Sequence, residues 1–264
     1  MKKLHLSYKN NITSINEFTN DEYIEINDII NEFILNSKMK WAFEVINRNF
    51  SALFNTTDNL LKSLSKEDLN WEKLEFATLE INRNVLNYLA SLNTFLDQTK
   101  KFLSRKFGKN SKESEEFDKK TNELFDKYFS YRFLYKLRNF TVHCGFSLCG
   151  ISIESNDKQI TFTPKFIYED LMQDKSFWGT IVKADLEQIG DDFKAFDLFN
   201  ESLNHFKFLS DFIQNNYIKD EENIKKSRIF EIIQIPVEEI DNYCFLIENN
   251  EGIKIAEIPV HYLK

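Results

Sequence analysis

Between Trp41 and Leu64 the apolar residues Phe43, Ile46, Phe50, Phe54 and Leu60 recur close to every third or fourth position, which places them on one side of an α-helix. A second series is cleaner. Leu74, Ala77, Ile81, Val85, Tyr88, Leu92, Phe95, Thr99 and Phe102 step by three or four throughout. Ser65, followed by Glu67 and Asp68, suits the start of that helix. Gly108 and the polar run K-N-S-K-E-S-E-E form a connection. A third long helix is then expected from about Ser114 as far as Gly145, a natural left-handed cap.

Past Gly145 the period changes. Ile151 to Thr163 alternates in steps of two on both sides of Asn156-Asp157, which predicts a small β-hairpin. Phe193, Phe196, Phe199, Leu203, Phe206 and Ile213 restore a helical stripe. The tail, R-I-F-E-I-I-Q-I-P-V and then Y-C-F-L-I-E-N-N-E-G-I-K-I-A-E-I-P-V, reads as two or three strands joined at E-N-N-E-G. The expected fold class is mainly α, a helical bundle with a small β-hairpin and a β-containing C-terminal appendage. In domain terms, residues 1–228 form the helical part with a hairpin insertion near 150–164, and residues 229–264 a small β segment.

Composition sharpens this picture. The 264 residues are 42% hydrophobic and 29% charged, a balance that supports a folded core. There are 6 Gly and 3 Pro, none of them before Gly108, so long uninterrupted helices are favoured in the first half. A net charge of −8 argues against nonspecific coating of nucleic acid but leaves room for a local basic patch. The 3 Cys form no CxxC and the 4 His are scattered, so no metal or other cofactor is expected. Odd, unframed thiols suit a reducing cytoplasm, and neither a secretory signal nor a membrane span is expected.

The stretch Y-K-L-R-N-F-T-V-H-C-G, residues 135–145, interrupts an apolar segment with Lys, Arg, Asn and His. At about 100° per residue, with Arg132 at zero, Lys136 falls at about +40°, Asn139 at about −20° and His143 at about +20°. Phe133, Leu134, Tyr135, Leu137, Phe140 and Val142 fill the other positions, so the helix should be buried. A basic stripe on such a helix must face a cleft, a partner or paired acids. Lys127, Lys119 and Lys120 add positive charge upstream.

Within this stretch, R-N-F-T-V-H, Arg138 to His143, resembles the Rx4–6H motif of the HEPN superfamily, and its setting late in a long helix is similar to HEPN proteins of bacterial defence and abortive-infection systems. The resemblance covers at most residues 40–145. It implies a metal-independent endoribonuclease with Arg138, Asn139 and His143 as catalytic residues. Arg132, Lys136 and Lys127 then contact the RNA substrate. It further implies a homodimer, a toxin or effector role, and an antitoxin or defence-system partner.

The residue types suit that chemistry. His143 can act as general base on a ribose 2′-OH or as general acid on the leaving 5′ oxygen. Arg138 can neutralise charge developing on the phosphate, and Asn139 can orient the imidazole or bind phosphate. Arg138 and His143, however, diverge by about 140° on an ideal helix. Either the chain turns back at His143 or two motifs meet across a dimer. Two rival readings are a noncatalytic interaction or sensor module, and a regulatory protein in which Arg138 and His143 are structural. A buried Arg138 bridged to a core acid would favour the latter.

Other candidates read as ordinary. His205 suits a helix surface, and Cys144 points away from His143. Glu80, Asn82, Arg83, Asn84 and Asn87 form a polar strip that is solvated or borders the same cleft.

Overall fold

The computed structural model describes residues 2–8, 11–64, 70–144, 149–155, 160–234, 244–248 and 254–258. In chain order a hairpin of β1 (Lys2–Tyr8) and β2 (Asn11–Phe18) precedes the long helix α1 (Asn20–Ser63). Helices α2 (Trp71–Phe107), α3 (Lys112–Lys127) and α4 (Phe129–His143) follow. Next come strands β3 (Gly150–Ser155) and β4 (Ile160–Phe166), then the short helix α5 (Tyr168–Gln173). A single 3-10 turn (Lys175–Trp178), helix α6 (Gly179–Ile189) and the short strand β5 (Phe193–Lys194) lead on. Helices α7 (Ala195–Tyr217) and α8 (Lys219–Ile233) precede strands β6 (Cys244–Glu248) and β7 (Lys254–Ile258). The protein is mainly α. Among the described residues no helix is long and apolar enough to cross a membrane.

Two compact units divide the chain, one of residues 39–211 and one of residues 1–38 with 212–264. In the second of these, an antiparallel sheet has the order β2-β1-β6-β7. The C-terminal strands therefore join an N-terminal hairpin that the hydrophobic pattern did not predict. A capping box starts α1: the Glu22 N–H donates to Thr19 Oγ1 at 3.2 Å and the Thr19 N–H to Glu22 Oε2 at 2.8 Å. Ile26, Ile29, Ile30 and Phe33 of α1 are buried, as are Ile229, Ile232 and Ile233 of α8. The two helices are tied by Arg228, which donates to both carboxylate oxygens of Glu25 at 2.7 and 3.0 Å, and by Lys225 with Glu32.

Residues 228–233, expected to open a strand, instead close α8. Their Ile229, Ile232 and Ile233 fit a helical face as well as a strand, and burial on α8 decides between them.

In the unit of residues 39–211, α2 carries the stripe that its spacing predicts: Ala77, Ile81, Val85, Tyr88, Leu92, Phe95, Thr99 and Phe102 are all buried. Asn70 caps its start by accepting from the Lys73 N–H at 2.9 Å, and Gly108, at φ 94°, ends it. The first stripe is less regular. Ile46 and Leu53 are buried, but Trp41 is 59% and Phe54 48% exposed. The hairpin β3–β4 is present and extends to β5 in an antiparallel sheet of order β3-β4-β5. Asn82 fastens α2 to it, with Nδ2 donating to the Cys149 carbonyl at 2.9 Å and Oδ1 accepting from the Cys149 N–H at 2.8 Å. The expected features at Ser65, Gly145, Asn156-Asp157 and the N-N-E-G of the last turn lie outside the described residues.

Aromatic rings fill the core of this unit. Tyr88 meets Phe50 and Phe199 and shares a 2.7 Å hydrogen bond with Ser202. Phe133 of α4 stacks on Trp178 at 5.4 Å and meets Phe166 edge-on at 5.0 Å. Trp178 in turn stacks on Phe140 at 4.6 Å and donates its indole N–H to the Leu171 carbonyl at 2.7 Å. Replacing the fully buried Phe133 by Ala removes the ring shared by α4, the sheet and the 3-10 turn. The expected cost is about 3–5 kcal/mol, read as a lowered urea midpoint at unchanged slope.

Candidate functional site

The expected third helix is two. Tyr128 adopts an extended conformation (φ −118°, ψ 120°) and separates α3 from α4. Arg132 explains how the break is tolerated. Its Nη1 donates to the carbonyls of Phe125 and Asp126 at 3.3 Å each, satisfying groups at the end of α3 that have no helical partner. Its Nε and Nη2 donate to Asp185 of α6 at 2.5 and 2.8 Å. The Asp185 carboxylate beside it holds the guanidinium above its usual pKa, with the Arg132 side chain only 12% exposed. Arg132 is thus a structural ion pair and helix-end cap, a correction to its expected place on an RNA-binding stripe.

Three helices wall a cleft of about 500 Å³. Asn93, Leu96, Asp97 and Lys100 of α2 and Asp118, Thr121, Asn122 and Phe125 of α3 each follow one helical stripe. From α4 come Tyr131, Tyr135, Lys136, Arg138 and Asn139. Lys100 pairs with Asp118 at 2.8 Å. Lys136 and Arg138 meet no carboxylate at ion-pair distance among the described residues, so the cleft has two uncommitted cations on one wall.

Arg138 and Asn139 are together at this site. The Arg138 guanidinium is exposed and donates to Asn139 Oδ1 at 3.0 Å. His143 is also exposed but does not line the cleft; its ring lies 5.5 Å from that of Phe177. The exposed arc of α4 also holds Tyr135, 41% exposed, and Val142, 61% exposed, which the near-continuous apolar pattern had assigned to the core. Within one chain Arg138 and His143 therefore flank an exposed, partly apolar surface without sharing a cavity. Lys127 stands apart, its ammonium 5.1 Å from the Tyr128 ring centre.

Sequence reasoning missed the cleft's other walls. Asn93 and Asp97, one turn apart among the apolar residues of α2, were the available signal. The polar strip it did single out is used elsewhere: Asn82 holds Cys149, and Glu80 pairs with Arg83 at 2.9 Å. His205 is not a surface residue. It is buried, with Nε2 3.2 Å from Ser130 Oγ, its ring 4.3 Å from Tyr128 and a Glu201 carboxylate 3.7 Å away. Partial burial, then the nearby Asp174, pushes the Cys144 thiol above its usual range, against a nucleophilic role. Among the described residues no group of three or more His, Cys, Asp or Glu is arranged to hold a metal ion.

In comparison with known proteins, the chain matches no family model, no curated protein and no solved structure.

The two arginines of α4 should respond unequally to substitution. Arg132→Met, which strands Asp185 and the α3 carbonyls, is expected to cost about 2 kcal/mol in urea unfolding. Arg138→Met should leave stability within about 0.5 kcal/mol. His205 predicts a pH dependence. Burial lowers its pKa, outweighing Glu201, so the unfolded chain takes up a proton at higher pH than the folded one. The associated stability is complete above the unfolded value of about 6.5 and is lost as pH falls below it toward the folded value. The gap in urea midpoint between wild type and His205→Asn should therefore narrow as pH is lowered from about 7.5 to about 5.5.

Proposed function

We propose that this protein is a metal-independent endoribonuclease of HEPN type, a toxin or effector of phage defence or of a toxin–antitoxin system, acting as a homodimer through Arg138, Asn139 and His143. One observation carries this reading. Arg138 and His143 are both exposed, and among the described residues Arg138 meets no acid partner, whereas Arg132 two turns earlier is tied to Asp185. An exposed guanidinium that meets no carboxylate keeps N–H donors free for a phosphate.

In the proposed reaction the His143 imidazole takes the proton from a ribose 2′-OH, and that oxygen attacks the adjacent phosphorus. The P–O5′ bond breaks and the leaving oxygen gains a proton, giving a 2′,3′-cyclic phosphate and a 5′-hydroxyl. Arg138, oriented by its bond to Asn139, neutralises the extra charge on the phosphate oxygens. Because the two side chains diverge by about 140° along α4, a second copy opposing the same arc supplies His143 to the first copy's Arg138. The exposed Val142 lies on that arc and suits an interface.

A noncatalytic interaction module is the second reading, favoured by the position of His143 outside the cleft. The discriminating assay is cleavage of total cellular RNA in EDTA. Wild type should leave cyclic phosphate ends, and His143→Ala and Arg138→Ala should each lower the rate by about a hundredfold or more. Intact RNA after incubation with folded dimer would rule the nuclease out and leave the interaction module.

A further inference from the structure

The cleft holds a feature that phosphate binding does not use. Asp97 lies on its wall, is exposed, and makes no hydrogen bond or ion pair among the described residues. Asp118, the other carboxylate, is held by Lys100 at 2.8 Å. A free carboxylate repels an RNA backbone. The phosphate is therefore drawn to the Arg138 and Lys136 wall, and Asp97 beyond it favours a group that presents donors.

We infer that this cleft is a nucleobase pocket selecting guanine at the nucleotide next to the cleaved phosphate, an inference that rests on the nuclease reading above. A carboxylate is an acceptor only, with two oxygens side by side. Guanine presents two donors side by side, N1–H and the N2 amino group, and can bond both oxygens at once. Adenine and cytosine offer an amino group next to a ring acceptor, which a carboxylate repels. Uracil flanks its single N3–H with two carbonyls. Asn93, one turn before Asp97, and Asn122 on the facing helix add amide groups for the remaining base edge.

The walls also suit a flat ring. Tyr135 meets Phe125 edge-on, with ring centres 6.2 Å apart and planes at 87°, so its orientation is set by packing. A base stacked on such a ring gains affinity irrespective of its identity. Tyr135 thus provides affinity and Asp97 provides choice. The volume, about 500 Å³, accommodates a nucleotide.

The test is calorimetric titration of the full-length protein with the 3′-monophosphates of guanosine, adenosine, cytidine and uridine, beside cleavage of total RNA. Guanosine 3′-monophosphate should bind about tenfold or more tighter than the others, the discrimination of one two-bond contact. Asp97→Asn keeps the shape of an exposed side chain but turns one acceptor into a donor, and should abolish the preference. Tyr135→Ala should weaken all four ligands together. Equal binding of the four, no binding, or a guanine preference that survives Asp97→Asn would overturn the pocket. The two readings fail separately. RNA cleavage without nucleotide selectivity refutes the pocket alone, whereas Asp97-dependent guanosine binding by a protein that leaves RNA intact refutes the nuclease and retains the cleft as a guanine site.

Discussion

Phe133 sits where α4, the three-stranded sheet and the 3-10 turn converge, with Trp178 stacked on one side and Phe166 and Phe193 against its edge. Phe140, two turns later, stacks on the same Trp178. Two rings on one face of α4 locked to a single indole leave the helix no freedom to rotate about its axis. That constraint decides which of its side chains reach solvent. Tyr135, Arg138, Val142 and His143 are exposed because Phe133, Leu137 and Phe140 are buried. Close packing propagates this choice along the whole helix, since turning it by one residue would carry the basic groups into the aromatic core.

The charges of α4 sort by what surrounds them. Arg132 lies beside the free carbonyls at the end of α3 and faces Asp185, so its charge is fully used within the fold. Arg138 has the same chemistry and, among the described residues, meets only the amide of Asn139. An arginine paired in this way keeps its donors available for an incoming phosphate. The cleft wall opposite is not uniformly basic, because Asp97 and Asp118 face the two uncommitted cations. This mixed lining is consistent with the net charge of −8.

Much of the architecture was legible beforehand. The α2 stripe is buried from Ala77 to Phe102 because steps of three and four leave one continuous apolar face with no competing strand pattern. The β3–β4 hairpin followed from strict alternation. The N-terminal hairpin escaped because Leu4, Leu6 and Tyr8 alternate over too short a span to stand out, and its pairing with β6 joins residues at opposite ends of the chain. The break at Tyr128 was equally hidden. No Gly or Pro marks it, and the side chain that compensates for the lost helical bonds, Arg132, was read as part of a binding stripe.

Local patterning was enough to show that the protein is mainly helical, that the motif R-N-F-T-V-H closes a helix, and that Arg138 and His143 cannot lie on one face of it. These follow from local periodicity, which one helix expresses without reference to its neighbours. Tertiary packing was needed to show that Arg132 is paired, that Arg138 and His143 are exposed, and that Asn93, Asp97 and Tyr135 share a cleft with Arg138 and Asn139. Those outcomes depend on which helix packs beside which. A cleft assembled from three separate stripes, on α2, α3 and α4, leaves in any one of them no more than a short polar trace such as Asn93 and Asp97.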